Sequence, residues 1–153
     1  MSARADDGAI AGESSSPAEA TRPLLLDTHA WIWWVAGLAD LPTGVRRQVD
    51  LAFRDARLWI SSISAWEVAL LVARGRLVLR YPVRDWIARS EALDGLRFLP
   101  VDNAIAVRSV ELPGLHPDPA DRIIVASAER LGASLVTKDE RLRAYPAVPT
   151  LWA

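Results

Sequence analysis

Cysteine is absent from this chain of 153 residues, and histidine occurs only twice, at His29 and His116. The absence of cysteine excludes disulfide bonds and metal sites built from thiolates. Two histidines are also too few for a histidine-rich zinc site. A metal ion would therefore have to be held by oxygen atoms, which favours Mg²⁺ or Mn²⁺.

Long apolar runs, a glycine-rich phosphate loop and a strong net charge are absent as well. No apolar run reaches the length of a membrane span. The net charge of −1 indicates no general attraction to nucleic acid or to a membrane surface. Hydrophobic residues make up 51% of the chain and charged residues 24%, which is typical of a globular domain with a real core.

The N-terminal segment MSARADDGAIAGESSSPAEATR is rich in serine, alanine and glutamate and has no periodic apolar pattern. It also lacks the continuous apolar core of a secretory signal. We therefore expect residues 1–22 to be a disordered extension and residues 23–153 to form one folded domain. The same features predict a cytoplasmic protein.

Short apolar runs alternate with helical patterns from Pro23 onward. The runs PLLLD, LWISS, LRFLPV, ASLVTKD and VPTLWA predict β-strands. Between them, helical patterns cover THAWIWWVAG, residues 43–57, SAWEVALLVARG, residues 83–95, DNAIAVRSVEL and ADRIIVASAERLG. This alternation predicts an α/β fold of βαβ units, with a central parallel sheet flanked by helices.

Four carboxylates fall at the ends of predicted strands or near the starts of predicted helices: Asp27, Glu67, Asp121 and Asp139. We place Asp27 at the end of the first strand, Glu67 in the first turn of the helix after LWISS, and Asp121 at the start of the helix after PGLHPDP. Ligands of open α/β sheets bind outside the carboxyl ends of the strands. The four acids are therefore candidates for one common cleft, although they lie far apart in the sequence.

Helix capping is the ordinary alternative for each acid, because acidic residues are common in the first turn of a helix. Asp27 fits an N-cap, and SAWE, residues 64–67, fits a capping box. DPAD, residues 118–121, fits an aspartate N-cap followed by proline. Capping alone does not explain why the acids fall at the sheet edge where ligands bind.

Clustered carboxylates repel one another, which raises some of their pKa values, and a divalent cation removes this conflict. Mg²⁺ typically binds one or two carboxylates and keeps several water ligands. Such an ion can activate water and neutralise charge on a phosphodiester. Four acids could hold one or two ions, and the spacing does not decide between these numbers.

Four segments together resemble the PIN-domain family, and within it the VapC-type toxins of toxin–antitoxin pairs. They are LLLDTHAWIWW, ISSISAWEVALLVARGRL, HPDPADRIIVASAERLGASLVTKDERL and the closing VPTLWA. The resemblance implies a Rossmann-like parallel sheet and Mg²⁺- or Mn²⁺-dependent endoribonuclease activity. It also implies an RNA substrate, a cognate antitoxin and a homodimer.

The resemblance assigns catalytic and metal-binding roles to Asp27, Glu67, Asp121 and Asp139. It adds Asp118, in a DPxDR variant, and Thr137, at a small hydroxyl position. These two residues could support the carboxylates that hold the ion or orient a water molecule.

Basic and aromatic side chains offer further contacts to RNA, each with a structural alternative. Arg122 and Lys138 adjoin proposed metal ligands and are candidates for holding the scissile phosphate. Arg74 and Arg76 could track the RNA backbone, or could form a solvated face. Six of the tryptophans could stack bases, although core packing is the better interpretation for most of them. We interpret the two histidines as polar partners rather than metal ligands.

Two other functions remain open at this point. A catalytically silent binding module would use the same fold to hold RNA or a protein. A phosphoacceptor receiver domain also has an α/β sheet, an acidic pocket and a lysine near a late strand, here Lys138. A receiver, however, needs an acceptor aspartate at the end of a middle strand, and LWISS ends without one.

Overall fold

Strands and helices alternate along the chain, as the sequence pattern predicts. The computed structural model describes residues 17–115 and 117–153. The strands are β1 (Leu24–Leu26), β2 (Leu58–Ser61), β3 (Leu96–Leu99), β4 (Ser134–Val136) and β5 (Thr150–Leu151). The helices are α1 (Pro17–Thr21), α2 (Thr28–Ala36), α3 (Thr43–Arg54), α4 (Ser62–Ala73), α5 (Val83–Glu91), α6 (Asn103–Glu111), α7 (Pro119–Leu131) and α8 (Glu140–Arg143). In this part of the chain, none of the helices has both the length and the apolar character needed to cross a membrane.

The strands form one parallel sheet in the order β3-β2-β1-β4-β5. β1 lies at its centre, with Leu25 opposite Trp59 of β2 and Leu135 of β4. Both faces of a parallel sheet are covered by helices, so its inner strands are apolar along their whole length. The run Leu24–Leu26 is accordingly buried at every position. These observations confirm the predicted α/β fold with a central parallel sheet flanked by helices.

Each face of the sheet packs against its own helices. On one face, Trp31 of α2 is fully buried against Trp86 and Phe98, whose ring centroids lie 4.6 and 5.5 Å away. The Trp31 indole N–H donates to Ser90 Oγ over 3.1 Å, which satisfies its one polar group. On the other face, Leu25 packs with apolar residues of α6, α7 and α8. The two cores together hold β1 and the helix that follows it in place.

Several element boundaries differ from the sequence prediction, among them those of three helices. α1 lies inside the segment for which we expect disorder, and residues 1–16 of that segment lie outside the described residues. α3 ends at Arg54 instead of Arg57, because Ala56 adopts a left-handed conformation with φ of 55°. α5 ends at Glu91 instead of Gly95, because the chain turns before it enters β3.

Candidate active site

A cavity of about 250 Å³ lies at the carboxyl edge of the sheet, beyond the ends of β1 and β4. All four acids predicted from the sequence line it, together with Asp118. The remaining lining residues are Thr28, His29, Trp33, Ile124, Lys138 and Leu142. Folding therefore brings the predicted carboxylates to one place.

Asp27 and Asp139 each cap a helix and line the cavity at the same time. Asp27 Oδ1 accepts a hydrogen bond from the backbone N–H of Ala30 over 2.8 Å at the start of α2. Asp139 Oδ1 accepts one from the backbone N–H of Arg141 over 2.9 Å at the start of α8. A carboxylate offers about four acceptor positions, so a cap leaves others for a second partner. Capping and ligand binding are thus compatible for both residues.

Thr137 connects these two acids. Its side chain is fully buried just after β4, and its hydroxyl donates to the Asp27 carboxylate. The same oxygen accepts the backbone N–H of Asp139 over 3.1 Å. Because both bonds hold the hydroxyl in one orientation, Thr137 restricts where the Asp27 carboxylate points. This is the arrangement expected of a hydroxyl that positions a metal-binding carboxylate.

Glu67 lies in the second turn of α4, so its predicted place in the first turn is wrong. The N-cap of α4 is Ser61, whose Oγ accepts the backbone N–H of Ile63 over 3.3 Å. The predicted capping box over residues 64–67 is therefore also wrong. Ser64 Oγ instead forms a hydrogen bond of 2.9 Å with Thr28 Oγ1, which itself donates to Glu67 Oε1 over 2.6 Å.

Sequence reasoning missed Thr28 and Ser64 as residues of the site. Both side chains are buried, and Thr28 of α2 holds Glu67 while Ser64 of α4 contacts Thr28. The one available signal was a hydroxyl residue directly after Asp27. That signal is equally typical of a helix cap, so it did not point to the site.

Asp118 and Asp121 meet at the start of α7. Asp118 Oδ1 accepts the backbone N–H of Asp121 over 3.0 Å, and Pro119 begins the helix, as DPAD predicts. Both aspartates line the cavity. Burial, followed by the negative charges of Asp118 and Glu67, raises the pKa of Asp121 from its ordinary 3.8 to about 7.

The other three acids respond to the cavity in different ways. Burial raises the pKa of Asp27 and of Glu67, although hydrogen bonds to both carboxylates oppose the rise. Burial also tends to raise the pKa of Asp139, but hydrogen bonds from Arg141 outweigh this effect and leave the pKa below its ordinary value. The cavity thus gathers more negative charge than its surroundings stabilise, and a bound cation relieves such a conflict.

The donor atoms of the cavity fit a hard divalent cation. Carboxylate oxygens dominate the lining, and hard cations such as Mg²⁺ prefer oxygen ligands. Within residues 17–115 and 117–153, no three acidic or histidine side chains converge into a ready-made metal cluster. Mg²⁺ needs only one or two carboxylates because water completes its shell, so spaced carboxylates suit it better than a tight cage of protein ligands would.

Of the basic candidates next to proposed metal ligands, Lys138 lines the cavity and Arg122 does not. The Arg122 guanidinium donates to the carbonyl oxygens of Ser109, Leu112 and Leu115, each over 3.0 Å. These carbonyls belong to the last turn of α6 and to the loop after it, where helix carbonyls lack partners. The contacts of Arg122 therefore indicate a structural role instead of the predicted phosphate contact.

Arg74, Arg76 and the two histidines are the remaining candidates. Arg74 and Arg76 are exposed at the far end of α4, and roughly two helical turns separate Arg74 from Glu67. His29 is exposed in the first turn of α2 and lines the cavity. His116 lies outside the described residues.

Comparison with known sequences identifies the family. The sequence model of the PIN domain matches residues 24–148. Ribonuclease VapC22 of Mycobacterium tuberculosis is 35% identical over 132 residues, which cover 84% of this chain and 98% of that protein.

Solved structures share the fold. One is a DNA-bound VapBC from Salmonella typhimurium, at 22% identity and a TM-score of 0.61, covering 85% of this chain and 97% of that chain. Another is VapBC2 from Rickettsia felis, bound to a fragment of promoter DNA, at 18% identity and a TM-score of 0.61, covering 84% and 96%. From its match to the family over most of its length and from its identity to VapC22, this chain belongs to the PIN-domain family, among proteins of the VapC type.

Proposed function

We propose that this protein is a Mg²⁺- or Mn²⁺-dependent endoribonuclease toxin that cleaves RNA phosphodiesters and is neutralised by a cognate antitoxin. One observation carries the proposal: four carboxylates from distant parts of a ribonuclease-like chain line the same cavity. An antitoxin made by the same cell would meet the protein inside that cell, so the proposal includes a cytoplasmic location.

Asp27, Glu67, Asp121 and Asp139 are the proposed ligands of the ion. When bound, such an ion activates water and neutralises charge on the phosphodiester. Thr137 holds Asp27, and Thr28 holds Glu67, so hydrogen bonds restrict both carboxylates before an ion binds. Asp118 fixes the backbone at Asp121 and adds negative charge beside it. These residues prepare the cavity in advance, which reduces the cost of binding.

The solved relatives support the proposed protein partner. A Klebsiella pneumoniae relative with a TM-score of 0.57 is a toxin–antitoxin complex, and the Salmonella typhimurium relative is a VapBC complex. We infer that this chain likewise binds an antitoxin encoded with it. The proposal also includes the homodimer that the family resemblance implies.

The test is cleavage of a structured RNA by the purified protein in Mg²⁺, in Mn²⁺ and in EDTA. We expect cleavage in either metal, none in EDTA, and losses of at least about 100-fold in Asp27→Asn and Asp121→Asn, because each removes a negatively charged ligand. Asp40→Asn is the matched control, because Asp40 is exposed and does not line the cavity.

Cleavage that survives both substitutions would contradict this mechanism. Tight RNA binding with no cleavage in any metal would instead support the catalytically silent binding module.

A further inference from the structure

Trp33 differs from the other tryptophans in its position. Among the described residues it is the one tryptophan that lines the acid-rich cavity. The ring is half-buried, with His29 at a centroid distance of 5.7 Å and Trp152 at 6.1 Å. Within the part of the chain that the structure describes, its indole N–H makes no hydrogen bond, whereas the indoles of Trp31 and Trp34 each donate to a side chain. Trp33 thus contributes an aromatic wall to the cavity.

Lys138 stands beside this wall. It is exposed, and its Nζ lies 6.0 Å from the centre of the Trp33 ring, at the outer limit of a cation–π contact. Among the described lining residues it is the one Lys or Arg side chain, in a cavity with five carboxylates. No ion pair joins Lys138 to a carboxylate within residues 17–115 and 117–153. Its positive charge is therefore available to an anion that enters the cavity.

We propose that Trp33 and Lys138 form a nucleotide subsite next to the carboxylates, in which Trp33 stacks an unpaired RNA base and Lys138 holds the adjoining phosphate. This inference rests on the proposed ribonuclease function and adds to it two residues that would hold the substrate. An aromatic wall with a neighbouring cation is the combination that single-stranded nucleic acid binders use. The carboxylates would repel a phosphate, so the cation at the cavity wall favours one side of the cavity for the strand.

The geometry selects unpaired RNA because a base in a duplex is already stacked on its neighbours. Only a base in a loop, a bulge or a single strand can lie against a side chain in a pocket. The other described tryptophans do not offer this contact beside the acids. Trp31 and Trp86 are buried in the core, and Trp66, with 55% of its surface exposed, lies outside the cavity.

The first test compares binding of a short fluorescent single-stranded RNA of mixed sequence with binding of the same sequence as a duplex, in Ca²⁺ by fluorescence anisotropy. We expect Trp33→Leu to weaken single-strand binding about 5- to 150-fold, the range for loss of one base–aromatic stack. Trp33→Phe keeps an aromatic ring and should lose much less, and duplex binding should hardly change. Trp66→Leu is the matched control for removal of a tryptophan outside the cavity.

The second test uses Lys138→Gln, an exposed substitution that leaves the core intact. We expect weaker single-strand binding and a decrease of about 0.7 in the slope of log affinity against log salt, as for one lost phosphate contact. Arg47→Gln removes an equal charge from the exposed face of α3 and should leave the slope unchanged. In cleavage assays both site variants should raise KM more than they lower kcat, because they remove binding rather than chemistry.

Three outcomes would overturn the subsite. Folded Trp33→Leu and Lys138→Gln proteins could bind single-stranded RNA like the wild type. Trp33→Leu could weaken duplex and single-strand binding equally. Either variant could weaken binding of the antitoxin while RNA binding stays intact, which would assign the wall to a protein partner. If the wild-type protein cleaves RNA in any of these cases, the proposed function stands and only the subsite is refuted. If the wild-type protein neither binds nor cleaves RNA, both proposals are refuted.

Discussion

Thr28 Oγ1 donates a hydrogen bond of 2.6 Å to Glu67 Oε1 and so joins the first turn of α2 to the second turn of α4. The two residues lie on helices that leave neighbouring strands of the sheet, β1 and β2. Ser64 holds the same threonine oxygen from the other side over 2.9 Å. The buried hydroxyl of Thr28 on α2 thus holds the carboxylate of Glu67 on α4, and Ser64 on α4 in turn holds that hydroxyl.

Replacing Thr28 with valine should therefore affect both stability and metal use. The change keeps the shape but leaves the Glu67 carboxylate without its donor, which should lower the free energy of unfolding by about 1–3 kcal/mol. The hydrogen bond also opposes the rise in the pKa of Glu67, so its loss should raise that pKa and increase the Mg²⁺ concentration needed for half-maximal cleavage at neutral pH. Urea unfolding and a Mg²⁺ titration measure the two effects. Thr28→Ser keeps the hydroxyl and should retain most of both properties; a valine variant indistinguishable from the wild type would contradict this role.

The raised pKa of Asp121 predicts how the metal-free protein responds to pH. The folded chain holds this proton more tightly than the unfolded chain, because the pKa is about 7 instead of 3.8. The stability contributed by Asp121 is therefore complete below about pH 4 and is lost as the pH rises to about 7. Asp27 and Glu67 also have raised pKa values, so their contributions to stability are likewise lost as the pH rises. Asp139 has a lowered pKa, so its contribution is lost only at acid pH.

Unfolding followed in EDTA and in Mg²⁺, at about pH 5 and about pH 8, tests this linkage. Mg²⁺ should stabilise the protein more at the higher pH, because the ligands must be deprotonated. Asp121→Asn should be more stable than the wild type in EDTA at the higher pH and should gain less from Mg²⁺. A stabilisation by Mg²⁺ that is equal at both pH values would argue against a carboxylate site that competes with protons.

The three carbonyl contacts of Arg122 predict a loss of stability rather than a loss of RNA affinity. Arg122→Gln removes a guanidinium from the end of α6, and the free energy of unfolding should fall by on the order of 2 kcal/mol. The salt dependence of RNA binding should not change, because no phosphate contact is lost. A smaller slope of log affinity against log salt for folded Arg122→Gln protein would instead support the predicted contact between Arg122 and an RNA phosphate.

Alanine substitutions at Gly95 and Gly44 test how closely the chain packs against α3, because only the first would introduce a clash with that helix. A Cβ atom at Gly95 would lie 2.0 Å from the carbonyl oxygen of Phe53, so Gly95→Ala must displace backbone and should cost at least about 2 kcal/mol in urea unfolding. At Gly44, in the first turn of α3, a Cβ atom meets nothing within 4 Å. Gly44→Ala should stabilise the chain by up to about 1 kcal/mol. Equal effects of the two substitutions would show that the close contact at Gly95 is relieved without cost.

The fold could be predicted from the sequence because local patterns and tertiary packing agree. Leu24–Leu26 is too short and too apolar for an exposed element, and the run fits the central strand of a covered parallel sheet. Gly37 and Gly132, both with positive φ, end helices where the sequence places the ends. The end of α3 could not be predicted, because the left-handed turn at Ala56 requires φ of 55° at a residue that gives no local signal for it.

The carboxylates of the cavity and the support of Asp27 by Thr137 could be predicted, but the support of Glu67 by Thr28 could not. Acids at strand ends and helix starts follow from the rule that ligands bind at the carboxyl edge of a parallel sheet. The sequence offers several serines before Glu67, and local rules favoured Ser64 over Ser61 as the cap. Only the contact between Ser64 and Thr28, on another helix, decides between them. The partners of Arg122 were equally hidden, because its three carbonyl acceptors are brought to it by the packing of α6 on α7.

The central position of β1 has a consequence for the newly made chain. The backbone N–H of Asp27 donates to Val136 of β4 over 3.1 Å, and Thr137 and Asp139 follow directly after that strand. A chain that leaves the ribosome N-terminus first presents Asp27 and Glu67 long before β4 exists to complete the cavity. Under the proposed mechanism the cavity is complete only when β4 has paired with β1, so RNA cleavage would begin only after nearly the whole chain has been made.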